Sequence, residues 1–375
     1  MSTPRDIEQP IIPAFEEYIR QGDVTQRERA ENWQVAIGLQ AVDNLHVSDY
    51  LRQTAEEHIA GNITQEEVEG RIAAYYKTEE GRKEETDTDE ADMVSARIVK
   101  ALSRKSFTLS PSYYAAIHKE LFSGILPYAG TYRDFNITKK EWVLDNDTVL
   151  YGDADYISQT LQYDFGEEKK FAYRGLTPKN IVAHFAAFIA GIWQIHPFRE
   201  GNTRTTAVFA ILYLRQLGYK VDNSPFKTHS WYFRNALVRA NYHNVTKGID
   251  YNPLYLERFF RNIILGEKNE LKNRYCHILW KEEAGNDPKD DPKDDPKELT
   301  ERQTLILNLV KENNRITIQE MTQKVKVSEK TIKRDIRHLQ DLNLLTRTNG
   351  RKSGHWQINQ QGIGKGYATL AYTQL

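Results

Sequence analysis

The chain holds a single cysteine, Cys276, in 375 residues, so no internal disulfide can staple it and a reducing compartment suits it. Net charge is nearly absent too: 51 Lys and Arg stand against 52 Asp and Glu. Any nucleic-acid role must therefore come from a local patch. Apolar runs are short. None is long enough to span a bilayer, and the start, MSTPRDIEQPII, has no signal-peptide core. These absences exclude a membrane partner and lead to the expectation of a soluble, cytoplasmic protein. The length allows two or three domains with cores of their own.

Against that background, nine residues concentrate the polar chemistry: His196-Pro197-Phe198-Arg199-Glu200-Gly201-Asn202-Thr203-Arg204. Before them, 180–195 (NIVAHFAAFIAGIWQI) is apolar at helical spacing; after them, 205–214 (TTAVFAILYL) is apolar almost all round. Both read as buried helices. A run of His, Arg, Glu, Asn and Arg between core helices is costly unless each group has a partner or a task. Gly201-Asn202 suits a tight turn opening the second helix, whose free N–H groups form an anion site. The stretch thus offers a general base in His196 and a carboxylate for Mg²⁺ in Glu200. Gly201, Asn202, Thr203 and Arg204 would form a phosphate cradle.

This stretch resembles the signature of the Fic family, His-Pro-Phe-x-(Asp/Glu)-Gly-Asn-Gly-Arg-x-x-Arg. The resemblance implies a protein adenylyltransferase that moves AMP from ATP, with Mg²⁺, to a Ser, Thr or Tyr hydroxyl of a target protein or of itself. Two positions depart from the pattern: Thr203 replaces the second Gly and Ala207 the second Arg. Loss of that Arg removes a charge-assisted phosphate contact of about 1.5–3 kcal/mol, which bears on nucleotide preference. Neither change touches the base or the metal ligand.

The expected fold is mainly α: a Fic-type helical bundle with a β-hairpin flap, plus a small C-terminal α+β winged helix. In order, residues 1–24 read as an arm, with Pro4, Pro10 and Pro13 against an early helix. Residues 25–76 read as three short helices, with Gly61-Asn62 ending one and Thr64 capping the next. They resemble the antitoxin module that accompanies some Fic toxins. In the family that module restrains the enzyme through Ser/Thr-x-x-x-Glu-(Gly/Asn) set against the second Arg. Neither half of the clamp is present here, so the clamp is expected to be absent; an Asp43–Arg204 contact is the nearest substitute. Residues 77–90 (KTEEGRKEETDTDE) read as a solvated linker.

From 91 to 284 the core should run, beginning with helices through Met93–Leu102 and Pro111–Phe122. Between Gly130 and Tyr151, strand formers flank Asp145-Asn146-Asp147, which reads as a β-hairpin. In the Fic fold a hairpin here is the flap that holds the target backbone, which would make Ile137, Thr138, Lys139 and Lys140 docking residues. The helix over 231–244 offers Tyr232, Asn235 and Tyr242 to an adenine, although aromatics at that spacing more often fill a core. A closing helix at 254–265 and a charged one to about Glu283 should follow.

The DPKD repeat at 285–298 forbids a helix and marks a boundary. Beyond it, 299–358 reads as helix, helix-turn-helix and basic hairpin around Asn349-Gly350, with 359–375 as a tail. The segment resembles a winged helix and carries twelve Lys/Arg against six Asp/Glu. Lys330, Thr331, Lys333, Arg334 and Arg337 would sit on its recognition helix and Arg351 and Lys352 on its wing, against DNA. Two other readings stand beside the transferase. In one the chain is a DNA-binding regulator with a weakly active or inactive Fic-like sensor; in the other it is a toxin-like module aimed at a DNA-associated enzyme. An oligomer is compatible with each.

Overall fold

Proline decides where the first helix begins: Pro13 opens α1 (Pro13–Gln21) in the computed structural model. Its missing N–H costs nothing in the first turn, so the expectation of no early helix is corrected. The structure describes residues 13–84, 87–221, 224–280, 301–325, 327–341, 344–348 and 354–358. They fall into two compact units, 1–293 and 294–375. Among the described residues no helix is long and apolar enough to cross a membrane.

In the first unit, α2 (Val24–Gly38) is closed by an Asp23/Gln26 capping box, and a 3₁₀ turn, Leu39–Asp43, follows it. Helix α3 (Asp49–Ala60) ends at Gly61 in the left-handed conformation, and α4 (Gln65–Tyr75) opens with a Thr64/Glu67 capping box. These helices have no separate core. Trp33, Leu51, Ile59, Val68 and Ile72 belong to the same buried cluster as Phe209 and Phe260. Asp92, on α5 (Thr88–Leu102), is buried and accepts from the Ser48 N–H and from the Ser48 and Tyr76 hydroxyls, tying α3 to α5. The stretch read as a solvated linker over 77–90 is only partly so. It ends inside α5, and the Glu90 carboxylate is 12% exposed.

Helix α6 (Pro111–Phe122) is capped by Ser110 and α8 (Pro178–Ile195) by Thr177, each with Pro at its first position; α7 (Ile157–Lys170) lies between them. Helix α9 (Asn202–Gln216) is buried from Asn202 through Leu214. Then come α10 (Ser224–Thr228), α11 (Ser230–Ala240), α12 (Leu254–Leu265) and the short α13 (Asn273–Cys276). Between Gly266 and Trp280, α13 is the only helix, in place of the charged helix expected to about Glu283; residues past 280 there, and the DPKD repeat, lie outside the described residues.

The expected β-hairpin over 130–151 does not form. Among the described residues the one hairpin is at 345–358, and 130–151 holds a single Glu141–Asp147 bridge and a 3₁₀ turn at Trp142–Leu144. The reason lies in the side chains. Val143 and Leu144 are consecutive and both fully buried. A strand would point them to opposite faces, whereas a coil lets both enter the core. Further back, the Lys139 N–H donates to the Thr148 hydroxyl at 3.2 Å instead of to a ladder carbonyl.

The second unit comprises α14 (Glu301–Glu312), α15 (Ile318–Val325), α16 (Glu329–Asp341), β1 (Leu345–Thr348) and β2 (His355–Ile358). The strands are antiparallel, Leu345 opposite Ile358 and Thr348 opposite His355. Its core gathers Ile306, Val310, Met321, Ile336, Leu339 and Trp356, the last donating to the Ile316 carbonyl at 3.0 Å. Arg302 on α14 grips the buried Asp335 of α16.

Candidate functional site

The nine-residue stretch bridges α8 and α9. At His196 the backbone turns left-handed (φ 49°, ψ 57°), which stops α8. For a residue with a Cβ that conformation costs about 1–3 kcal/mol, so it needs support. Arg133 supplies it. Its N–H donates to the Pro197 carbonyl at 2.8 Å, and its guanidinium donates to the carbonyls of His196 (2.8 Å), Ile195 (3.1 Å), Phe135 (2.6 Å) and Gly152. A buried cation thus closes the negative end of α8 and pins the chain on both sides of His196.

The rest of the loop is folded onto itself. The Asn202 side chain accepts from the Phe198 N–H (3.0 Å) and donates to the Phe198 carbonyl (2.7 Å). Phe198 stacks on His118, ring centres 3.8 Å apart. His118 accepts from the Gly130 N–H at 2.8 Å and donates from Nε2 to the Glu200 carbonyl at 3.0 Å, which fixes its neutral tautomer. Burial holds its pKa down at about 4. Gly201 has φ 75°, and a Cβ there would lie 2.4 Å from the Phe122 ring, so only glycine fits. The first intrahelical bond of α9 runs from the Thr205 N–H to Gly201, leaving the N–H groups of 202–204, on buried residues, without an intrahelical acceptor.

His196 itself is 3% exposed, and neither ring nitrogen has a hydrogen-bond partner among the described residues. Tyr151 lies against the ring at 4.5 Å and Trp193 meets it edge-on at 5.3 Å. Burial first, then the charges of Lys139, Arg133 and Arg234, push its pKa well below the ordinary value. It is a neutral base at neutral pH, closed off in this conformation. Its cover is braced from behind: the Tyr151 hydroxyl donates to Glu141 (3.1 Å), and Glu141 pairs with Arg234 of α11 at 2.7 Å.

Arg204 is fully engaged. Its guanidinium meets Asp43 (2.6 Å) and Glu90 (2.9 Å), donates to Gln40 (3.1 Å) and covers the Phe122 ring. So the N-terminal segment does reach the loop, through the Asp43 contact, while Ala207 is buried in the core. The Thr203 hydroxyl accepts from Trp193 Nε1 at 3.1 Å. Glu200 is half-buried beside Arg204. Among the described residues no three His, Cys, Asp or Glu side chains converge as a metal cage. One carboxylate is nevertheless the donor set of a Mg²⁺ ion that arrives with a nucleotide's phosphates, so the residues fit that ion.

The other sequence-derived candidates are dispersed. Ile137 packs on the core, Thr138 is exposed, and Lys139 and Lys140 are half-buried. Tyr232 donates to the Tyr255 carbonyl, Asn235 to Asn273, and Tyr242 to Asp147, each an internal contact. On α16, Lys333 and Arg337 are exposed, with Lys333 paired to Glu329, while Thr331 and Arg334 are half-buried. Lys330 lies on the same helix; Arg351 and Lys352 lie outside the described residues. Sequence reasoning missed Arg133, His118, Tyr151, Glu141 and Glu90. Of these only Arg133 left a local trace, a lone cation in the otherwise strand-like run GTYRDF.

With this geometry in view, two family matches are decisive. The Fic/DOC family model matches residues 108–214, and the DeoR-like helix-turn-helix model matches 302–353. The stretch that holds the site, 108–214, is therefore similar to the Fic/DOC family. The chain's second unit is a DeoR-like helix-turn-helix domain. A relative from Sinorhizobium fredii, named a probable protein adenylyltransferase, is 31% identical over 132 residues, which is 34% of this chain and 64% of that one. The protein adenylyltransferase VbhT of Bartonella schoenbuchensis is 30% identical over 106 residues, 28% of this chain and 21% of its own. The chain thus spans less than two thirds of either relative. Among solved structures, a Fic family protein from Desulfovibrio desulfuricans aligns over 95% of this chain and 98% of its own, at 13% identity and TM-score 0.41. The N-terminal FIC domain of a Bartonella effector aligns over 49% and 88%, at 20% identity and TM-score 0.37.

Proposed function

We propose that the chain is a Fic-type adenylyltransferase that moves AMP from ATP to a hydroxyl side chain of a target protein, itself included. The observation that carries the reading is His196: a buried, neutral imidazole with both nitrogens unbonded among the described residues, held left-handed beside the N-terminus of α9. Buried polar groups rarely lack partners without a reason, and a base reserved for a substrate proton is such a reason. The target oxygen attacks the α-phosphorus, its proton passes to His196, and the bond to the bridging oxygen breaks to release pyrophosphate. The N–H groups of residues 202–204 face the phosphates. Mg²⁺ on Glu200 would neutralise charge on the phosphate oxygens.

Two features govern entry. Tyr151 and its Glu141–Arg234 brace must move aside for a hydroxyl to reach His196. Arg204 can grip phosphate only when Asp43 and Glu90 release it. Because Thr203 and Asn202 are engaged internally, Arg204 is the cradle's one cationic side chain, and release by the N-terminal segment sets nucleotide affinity. The test is transfer of label from α-labelled ATP to protein, lost in His196→Ala, with the three other nucleotides alongside.

A second activity rests on the helix-turn-helix unit: binding of DNA by α16 through Lys330, Thr331, Lys333, Arg334 and Arg337, with Arg351 and Lys352 on the wing. Operator binding without any label transfer would favour the regulator reading instead.

A further inference from the structure

Arg239, in the last turn of α11, is 7% exposed, and its Nε and Nη1 are sealed from solvent without a hydrogen-bond partner among the described residues. The other buried arginines of the first unit are all engaged: Arg133 by backbone carbonyls, Arg204 by Asp43 and Glu90. Among the described residues the ionisable groups that act on Arg239 most are Tyr255, Cys276 and Tyr242, and no carboxylate is among them. Two phenols and a thiol are uncharged near neutral pH, so they do not balance a guanidinium. The nearby Asp147 is directed elsewhere, accepting from Tyr242, Asn244 and Lys247. His277, which also feels Arg239, is kept neutral by burial. Among the described residues Arg239 is therefore a buried cation without a counter-charge, held between α11, α13 and the start of α12.

Buried charges are almost always paired, and water can satisfy N–H groups without neutralising the charge. A planar guanidinium suits oxyanions best. We propose that Arg239 anchors a binding site for a small oxyanion, the phosphate or carboxylate end of a ligand. The site is separate from the α8–α9 loop. The strongest charges acting on His196 are those of Lys139, Arg133 and Arg234, and the Glu141–Asp147 turn contacts α11 at Arg234 and the following loop at Tyr242. The proposal does not depend on the transferase reading.

The test is thermal unfolding of the full chain in an oxyanion-free amine buffer. Inorganic phosphate or acetate is titrated in at constant ionic strength, balanced with chloride. The wild type is expected to gain melting temperature saturably with at least one of the two anions, and which one responds distinguishes phosphate from carboxylate. Arg239→Gln should show no such gain and, without oxyanion, should melt no lower than the wild type, because an uncompensated charge has been removed. Arg239→Lys keeps the charge and should retain a weaker response, with a midpoint at roughly tenfold higher anion. His196→Ala should respond as the wild type does. Equal responses of wild type and Arg239→Gln, or no response of the wild type to either anion, would overturn the proposal. So would an Arg239→Gln protein destabilised equally in every buffer, or a response lost in His196→Ala.

Discussion

Around the α8–α9 junction two histidines from sequence-distant elements are buried, and they are opposites. His118 has both ring nitrogens bonded and a ring stacked on Phe198; His196 has neither nitrogen bonded. The buried arginines repeat the contrast, with Arg133 answered by carbonyls and Arg239 Nε and Nη1 by no partner among the described residues. Burial alone does not separate structural from functional groups. What separates them is whether the protein itself supplies the partners, because an unmet buried polar group is tolerated only where something else meets it.

The sharpest way to break the histidine comparison is to exchange roles. His196→Ala should lower label transfer by about 10²–10⁴-fold, the range of a general base, while leaving the melting temperature nearly unchanged. His118→Ala should instead destabilise by about 2–4 kcal/mol in urea titration, since it orphans the Gly130 N–H and the Glu200 carbonyl. If both variants lost equal stability, the distinction would fail. Arg133→Met removes the donor from four carbonyls and frees the left-handed turn. Transfer should fall by roughly 100-fold through misplacement of His196, and millimolar guanidinium, but not ammonium, should restore part of it.

The Arg204 contacts sharpen the account in the other direction. Asp43→Ala with Glu90→Ala should raise transfer by about tenfold, the equivalent of about 1.4 kcal/mol of released phosphate contact. Unchanged or lower transfer would mean that the two carboxylates serve only the fold.

The pH response is smaller. His58 and His118 are each held at about 4 by burial, so the fold favours their neutral forms. The unfolded chain takes up these protons near 6.5. Stability is therefore full above that pH and falls as pH drops toward 4, by about 1.4 kcal/mol per pH unit for each histidine. Asp92, raised to about 6 by burial, works the opposite way between about 4 and 6 and cancels part of the slope. His58→Gln should flatten the curve by one histidine's share, and an unaltered slope would contradict the assignment.

Much of this was legible in the chain itself, for reasons that differ by element. Helices α8 and α9 announce themselves because each is a continuous apolar face ended by a polar, glycine-bearing turn. The second unit's helices and strands follow from local caps and alternation. The flap failed because Val143 and Leu144 carry strand propensity while both point into the core, which only tertiary packing reveals. The Arg204 clamp was legible only in part: the Asp43 contact was named from the sequence, and the rest was missed for a different reason. Its partners Gln40 and Glu90 lie 164 and 114 residues away, and the Glu sits in a stretch whose composition reads as solvated. Arg239 left no sign at all, since an arginine on an amphipathic helix normally faces water.

The central claim is that His196 is reserved for a substrate proton, and label transfer tests it most directly. Purified full-length protein and its His196→Ala variant are incubated with Mg²⁺ and either α-labelled or γ-labelled ATP. The account predicts protein-bound label from the α position only, at least about 100-fold weaker in the variant. Label from the γ position, or equal α-label with and without the imidazole, would contradict it.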